Sequence, residues 1–189
     1  RRTFLKLSST IAVGTALGSF SSFAKFISPL HKIERATFTM GSIVTITAYC
    51  ENKAKCNRAI DASFHEMKQV DRLMSVFDAK SQLSLINQNA GRKETVVDRR
   101  IIDLLEHTQR FNHTTQGAFD VTIEPLMELY GFRDDNKHHF PTDKQITETI
   151  AGIGMKNVTI DAENSAVVLE HENTKLDFGG IAVGYAIDR

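Results

Sequence analysis

Neither sign of charge predominates: Lys and Arg together number 23, and so do Asp and Glu. A balanced chain has no field to draw it toward a polyanion, and no basic helix interleaved with aromatics is present, so a nucleic-acid partner is excluded. Cysteine is scarce, with only Cys50 and Cys56. That excludes a disulfide-dense mini-domain, and two cysteines without nearby ligands do not make a zinc site. Internal repeats and low-complexity tracts are missing, which argues against solenoids and disordered linkers. What remains is a chain of 189 residues, 41% hydrophobic, long enough to bury one real core.

The first 24 residues read as a targeting signal. Arg1 and Arg2 precede Phe4-Leu5-Lys6, a mild apolar run from Ile11 to Phe23 follows, and Ser22-Phe23-Ala24 gives a small-x-small cleavage pattern. It resembles a twin-arginine export signal, which predicts a mature chain in the periplasm or at the periplasmic face of the inner membrane. Gly14, Gly18 and the serines make the run a poor and short membrane span. No cysteine stands at the cleavage site, so lipidation there is unsupported, while membrane association by other means stays open. Loss of residues 1–24 removes Arg1, Arg2 and Lys6 and no acid, leaving 20 basic against 23 acidic groups.

Residues 25–34 read as a linker and 35–189 as the folded part. Met40-Gly41-Ser42 is a loop, and the alternation from Ile43 to Tyr49 predicts a half-buried strand. Ile60, Phe64, Met67, Val70, Leu73, Met74 and Phe77 recur at helical spacing, predicting an amphipathic helix that ends near Ser75 with Phe77 at its frayed end. Ser81 is a candidate N-cap for a short helix through Ile86. A third helix carries Ile101, Leu104, Leu105, Thr108 and Phe111 on one face, with His107 and His113 as solvated or dipole-pairing groups. Another begins at Glu124 or Pro125, and Thr142 with Gln145 forms a capping box for the next. "RDDNKHHF" (133–140) reads as an exposed loop. "NVTID", "AVVLE" and "TKLDF" predict a three-strand meander. The fold class is α+β, helices packed on a largely antiparallel sheet.

Cys50 and Cys56, separated by a short loop, either pair in an oxidising compartment or remain two isolated thiols. "LDFGGIAVGYAID" places Asp177 at a strand end, Gly179 and Gly180 at a sharp exit, and a helix start at Ile181, an arrangement open to a phosphate or serving merely as a tight turn. A helix of "IAVGYAI" with nothing supplied to cover it predicts exposed apolar surface.

Four stretches, "TMGSIVTI", "MSVFDAKSQLSLINQ", "GAFDVTIEPLMELYGF" and "LDFGGIAVGYAIDR", in that order and with the same kind of spacers, resemble the FAD:protein FMN transferases, the ApbE or thiamine-biosynthesis-lipoprotein family. The resemblance runs from about Arg35 to Arg189 and implies an ApbE-like fold that is C-terminally truncated here. It implies an exported enzyme that binds FAD with Mg2+, cuts the pyrophosphate, releases AMP and attaches FMN to a Thr or Ser hydroxyl of a target flavoprotein. By the same resemblance Met40, Phe77, Ala118, Phe119, Asp120 and Asp177 bind FAD, and Gly180 is a metal position, able to offer only its carbonyl. Val183 stands where the family has a flavin-nucleotide-binding Lys. The remaining Asp and Thr metal ligands belong to a later segment, and no residue stands out as the general base. The alternatives are a non-catalytic FAD-binding protein, an inactive fragment of that family, or an exported domain without a ligand.

Overall fold

A computed structural model describes residues 30–133 and 140–189; the export segment at 1–24 and the His138–His139 pair lie outside them. The chain opens with an antiparallel hairpin, β1 (His31–Thr39) and β2 (Ser42–Cys50), in register from His31 opposite Cys50 to Thr39 opposite Ser42. Met40 and Gly41 alone make the turn, with φ of 52° and 73°. Two positive φ values are what a two-residue hairpin needs if its twist is to match that of the strands. The linker expected over 25–34 therefore gives way to β1 from His31 onward. Along β1 the more buried positions are Ile33, Arg35, Thr37 and Thr39, a set too polar to show a period of two as hydrophobicity.

Helix α1 (Lys53–Met74) starts on the side-chain cap of Asn52 and ends at Ser75. It buries Ile60, Phe64, Met67, Val70 and Met74, the stripe that helical spacing predicts. The hairpin lies along it, and Arg35 adds an ion pair to Asp61 at 2.7 Å and a guanidinium 5.9 Å from the Phe64 ring. A Cys50–Cys56 disulfide fastens the end of β2 to the first turn of α1, with Cα atoms 6.3 Å apart. The two cysteines thus pair.

Ser81 caps α2 (Gln82–Gln88), and Asp98 caps α3 (Arg99–Thr114), accepting from Arg100 N–H. The buried face of α3 is Ile101, Ile102, Leu104, Leu105 and Thr108. Phe111, expected on that face, is half exposed instead, because it lies a turn beyond the core and meets Phe119 edge-on. Short helices α4 (Glu124–Leu129) and α5 (Asp143–Ile150) follow, the latter with the expected reciprocal capping box.

The second sheet has the order β3-β5-β4, all antiparallel, from β3 (Thr95–Val96), β4 (Val158–Asp161) and β5 (Ala166–Leu169). "TKLDF" does not form the third strand of a meander. Its backbone is tied elsewhere: Asn87 donates from Nδ2 to the Leu176 carbonyl and accepts from Leu176 N–H, at 2.9 and 2.8 Å. One parallel bridge, Ile123 to Lys175, is all the strand pairing it makes among the described residues. Leu176 and Phe178 are fully buried on either side of Asp177, so the segment crosses the core and delivers Asp177 to the surface of it. Helix α6 (Ala182–Asp188) then packs Ala182 and Ala186 onto the core beside α1, while Val183 and Ile187 stay exposed. The apolar exposure expected for this helix is thus confined to one side of it. No helix of the described residues is long and apolar enough to cross a membrane.

Candidate functional site

Three loops and one helix start converge beside the end of α1. Asp71, on the last turn of α1, accepts Met40 N–H at 2.8 Å and the Thr39 hydroxyl at 3.1 Å through the same oxygen. These bonds pin the hairpin turn over the helix end. Past Ser75 the chain turns outward, and Phe77, its N–H bonded to the Ser75 hydroxyl, presents a ring that is 77% exposed. A large aromatic left in water beside a concavity is informative where a lone surface leucine is not. The concavity has a volume of about 440 Å³, and Met40, Phe77, Met127, Arg133, Asp177 and Val183 line it together with Gly179 and Gly180.

Its polar wall is a three-membered charge cluster. Arg133 donates through Nε to both oxygens of Glu124, at 2.8 and 3.0 Å, again through Nη2 to Glu124, and from Nη2 to Asp177 Oδ2 at 2.5 Å. Its guanidinium lies 5.1 Å from the centroid of Phe77, within cation–π range. Glu124 is almost fully buried. Burial raises its carboxyl above the ordinary 4.5, because the cost of removing a carboxylate from water outweighs what the shared guanidinium returns. Arg133 is raised in turn, chiefly by its hydrogen bonds to Glu124.

The residues that the family resemblance points to divide into two groups. Met40, Phe77, Asp177, Gly180 and Val183 meet at this one cavity. Phe119 instead lines a neighbouring, larger cavity of about 700 Å³ between α3 and α6, which shares Gly180 and also holds His107, Phe111 and Tyr185. Asp103, Asp188 and Arg189 also line the larger cavity, and the Tyr185 hydroxyl is buried there without a partner among the described residues. Ala118 lies in the exposed turn after α3, its N–H bonded to the Thr115 carbonyl. Asp120 faces inward on its own loop, accepting from Thr122 N–H and hydroxyl at 2.8 and 2.6 Å and from Asn112. Its visible work is to hold the loop between α3 and α4. His107 is bonded through Nδ1 to Arg110, as befits a helix-surface histidine.

Two readings change. Arg133 was expected in an exposed polar loop, but a buried carboxylate draws it inward. The open phosphate cradle expected after Asp177 is also largely spent: Gly179 N–H donates to Asp177 Oδ1 at 2.7 Å, and the N–H groups of Ile181 and Ala182 both donate to the Phe178 carbonyl. The tight-turn alternative describes this junction better. Asp71 and Arg133 line the cavity and lie outside the four family stretches, whereas Met127, and Glu124 behind Arg133, fall within the third stretch at positions the resemblance does not mark. The available signal was an acid, Glu124, followed directly by the Pro of a short helix, a place where the carboxylate needs a partner if the helix is to pack.

A divalent ion fits the described residues poorly. No three His, Cys, Asp or Glu side chains among them come together as a metal site, and Gly180 has a carbonyl alone to give.

The α+β domain thus carries an apolar, aromatic-edged cavity with a fixed carboxylate–guanidinium wall, the form that small-molecule sites take. The chain belongs to the ApbE family, whose sequence profile matches residues 40–189. It is 30% identical over 152 residues to an FAD:protein FMN transferase of Klebsiella pneumoniae, covering 79% of this chain and 46% of that one. With the FAD:protein FMN transferase of Haemophilus influenzae it shares 28% identity over 185 residues, 95% of this chain and 52% of that one. The crystal structure of the ApbE protein of Thermotoga maritima superposes with a TM-score of 0.76 at 30% identity, over 84% of this chain and 51% of the other. The flavin transferase ApbE of Vibrio cholerae gives 0.73 at 25% identity, over 85% and 52%. The chain thus spans about half the length of the relatives it matches.

Proposed function

We propose that this chain is the FAD-binding N-terminal portion of an FAD:protein FMN transferase, acting on a target flavoprotein that carries an acceptor Thr or Ser. The convergence of Met40, Phe77, Asp177, Gly180 and Val183, positions up to 143 residues apart, on one cavity supports this reading, while Ala118, Phe119 and Asp120, marked by the same resemblance, lie outside that cavity. Met40, Met74 and Met127 give polarisable, adaptable contacts for an isoalloxazine, and the exposed Phe77 ring gives a stacking face. Asp177, its two oxygens tied to Gly179 N–H and Arg133, is a fixed acceptor for a ligand N–H or hydroxyl.

The transfer itself is a phosphoryl displacement. The acceptor hydroxyl oxygen bonds to the FMN phosphorus, the bond from that phosphorus to the bridging oxygen breaks, AMP departs with that oxygen, and the hydroxyl proton passes to solvent. The part this chain plays is to bind and orient the nucleotide. The Mg2+ that the resemblance implies is part of the proposal for the whole protein, but the described residues do not house it, and no step is derived from it. Export to the periplasm rests on residues 1–24, and the Cys50–Cys56 disulfide supports it, since such bonds persist in oxidising compartments.

A second reading, FAD binding without transfer, is favoured by one observation: Val183, 43% exposed at the cavity, brings no charge to a nucleotide. Titration of the chain with FAD and Mg2+ in the presence of a Thr-bearing acceptor flavoprotein, following flavin fluorescence and AMP release together, separates the two. Binding with AMP release supports transfer. Binding alone supports the second reading, and a folded chain that leaves FAD fluorescence unchanged removes both.

A further inference from the structure

We propose that Arg133 is the residue by which this cavity recognises the phosphate part of its ligand, so that the cavity prefers a flavin dinucleotide to unphosphorylated riboflavin. The inference rests on the flavin-binding reading above and deepens it. Among the described residues that line the cavity, Arg133 is the one cation; the ionisable others are Asp71 and Asp177, and Glu124 stands behind them. A pyrophosphate entering an otherwise acidic wall must find donors there. Of the backbone donors at this junction, Gly179 N–H is committed to Asp177, and those of Ile181 and Ala182 to the Phe178 carbonyl.

Arg133 is pre-set for the task. A guanidinium has five N–H donors in a planar fork. Nε and Nη2 are held by Glu124 and Asp177, and among the described residues Nη1 has no hydrogen-bond partner. Phe77 bounds one face of the guanidinium at 5.1 Å. The side chain is therefore immobilised before a ligand arrives, with one edge left to donate, and little ordering cost remains to be met on binding. The two carboxylates moderate the attraction for small anions, whereas a ligand whose ring also engages Phe77 gains from both contacts.

The test measures FAD, riboflavin and ADP affinities of the full chain by fluorescence and competition. In Arg133→Met combined with Glu124→Gln, which avoids leaving a buried carboxylate alone, FAD and ADP affinities are expected to fall about tenfold or more, with riboflavin within about twofold. If that pair does not fold, as judged by circular dichroism, Arg133→Lys must still lower the FAD-to-riboflavin affinity ratio about threefold, because an ammonium keeps the charge but loses the fork. Equal losses for FAD and riboflavin would make Arg133 a structural prop and overturn the proposal. Unchanged or improved FAD binding would do the same, the improvement marking Arg133 as an obstruction. A wild-type chain that binds riboflavin as well as FAD overturns it while leaving a flavin site, and one that binds no flavin at all ends the functional reading as well.

Discussion

Removing the Arg133 side chain alone should destabilise the fold and should do so in a pH-dependent way. Glu124 is 2% exposed, and Arg133 is the cation that meets both of its oxygens. Arg133→Met leaves that carboxylate buried beside Asp177, which is itself only 13% exposed at the side chain. Breaking a buried pair by deleting one partner costs about 3–5 kcal/mol, a large part of the roughly 5–15 kcal/mol that holds a domain together. The sign of the pH effect follows from the direction of the Glu124 shift. Its folded pKa already lies above the ordinary 4.5 through burial, and loss of Arg133 raises it further. Below 4.5 the folded and unfolded chains both hold the proton and the penalty is absent. It grows as pH rises and is complete above the raised folded value. Urea unfolding of wild type and Arg133→Met at pH 4 and pH 7.5 should therefore show a small difference at the lower pH and the full deficit at the higher. Adding Glu124→Gln should recover most of that deficit at pH 7.5. A deficit under about 0.5 kcal/mol at pH 7.5, or one equal at both values, would refute the account of the cluster.

Three further outcomes follow from other parts of the fold. Asp98, which caps α3, is held down from 3.8 to about 2, chiefly by its side-chain hydrogen bonds to Arg100 and against the pull of burial. It therefore contributes stability that is full above 3.8 and is lost as pH falls through 2; with partial exposure this amounts to about 1–2 kcal/mol, and Asp98→Asn should flatten acid unfolding by that amount. Reduction of Cys50–Cys56, which closes a loop of sequence separation 6, should cost about 2 kcal/mol by chain entropy, read as a lower urea midpoint in dithiothreitol that Cys50→Ser with Cys56→Ser reproduces. Gly91, at φ 66°, has the Glu172 backbone 2.8 Å from where a Cβ would stand, so Gly91→Ala should cost at least about 2 kcal/mol by strain and overpacking. Its thermal midpoint should drop by several degrees, and an unchanged midpoint would contradict the close approach.

Much of this protein was legible along the chain because it depends on near neighbours. The stripe of α1, the caps Ser81 and Thr142, and the α+β class follow from periodicity and side-chain-to-backbone bonds within a few residues. The family motifs mark Met40, Phe77, Asp177, Gly180 and Val183 one by one, but only the fold brings them to one cavity. The tertiary structure decided everything that needs a partner far away. Strand β1 exists because β2 pairs with it, its own sequence being too polar to announce it. "TKLDF" fails as a strand because Asn87, 89 residues earlier, takes the backbone bonds of Leu176. Arg133 sits in a sequence that reads as solvent-exposed loop, and the buried charge of Glu124 together with Asp177, 44 residues on, turns it into the cation of the cavity. Local patterns fix which residues form an element, whereas desolvated charge and backbone bonds are satisfied by whatever the fold brings near, and that no window of sequence contains.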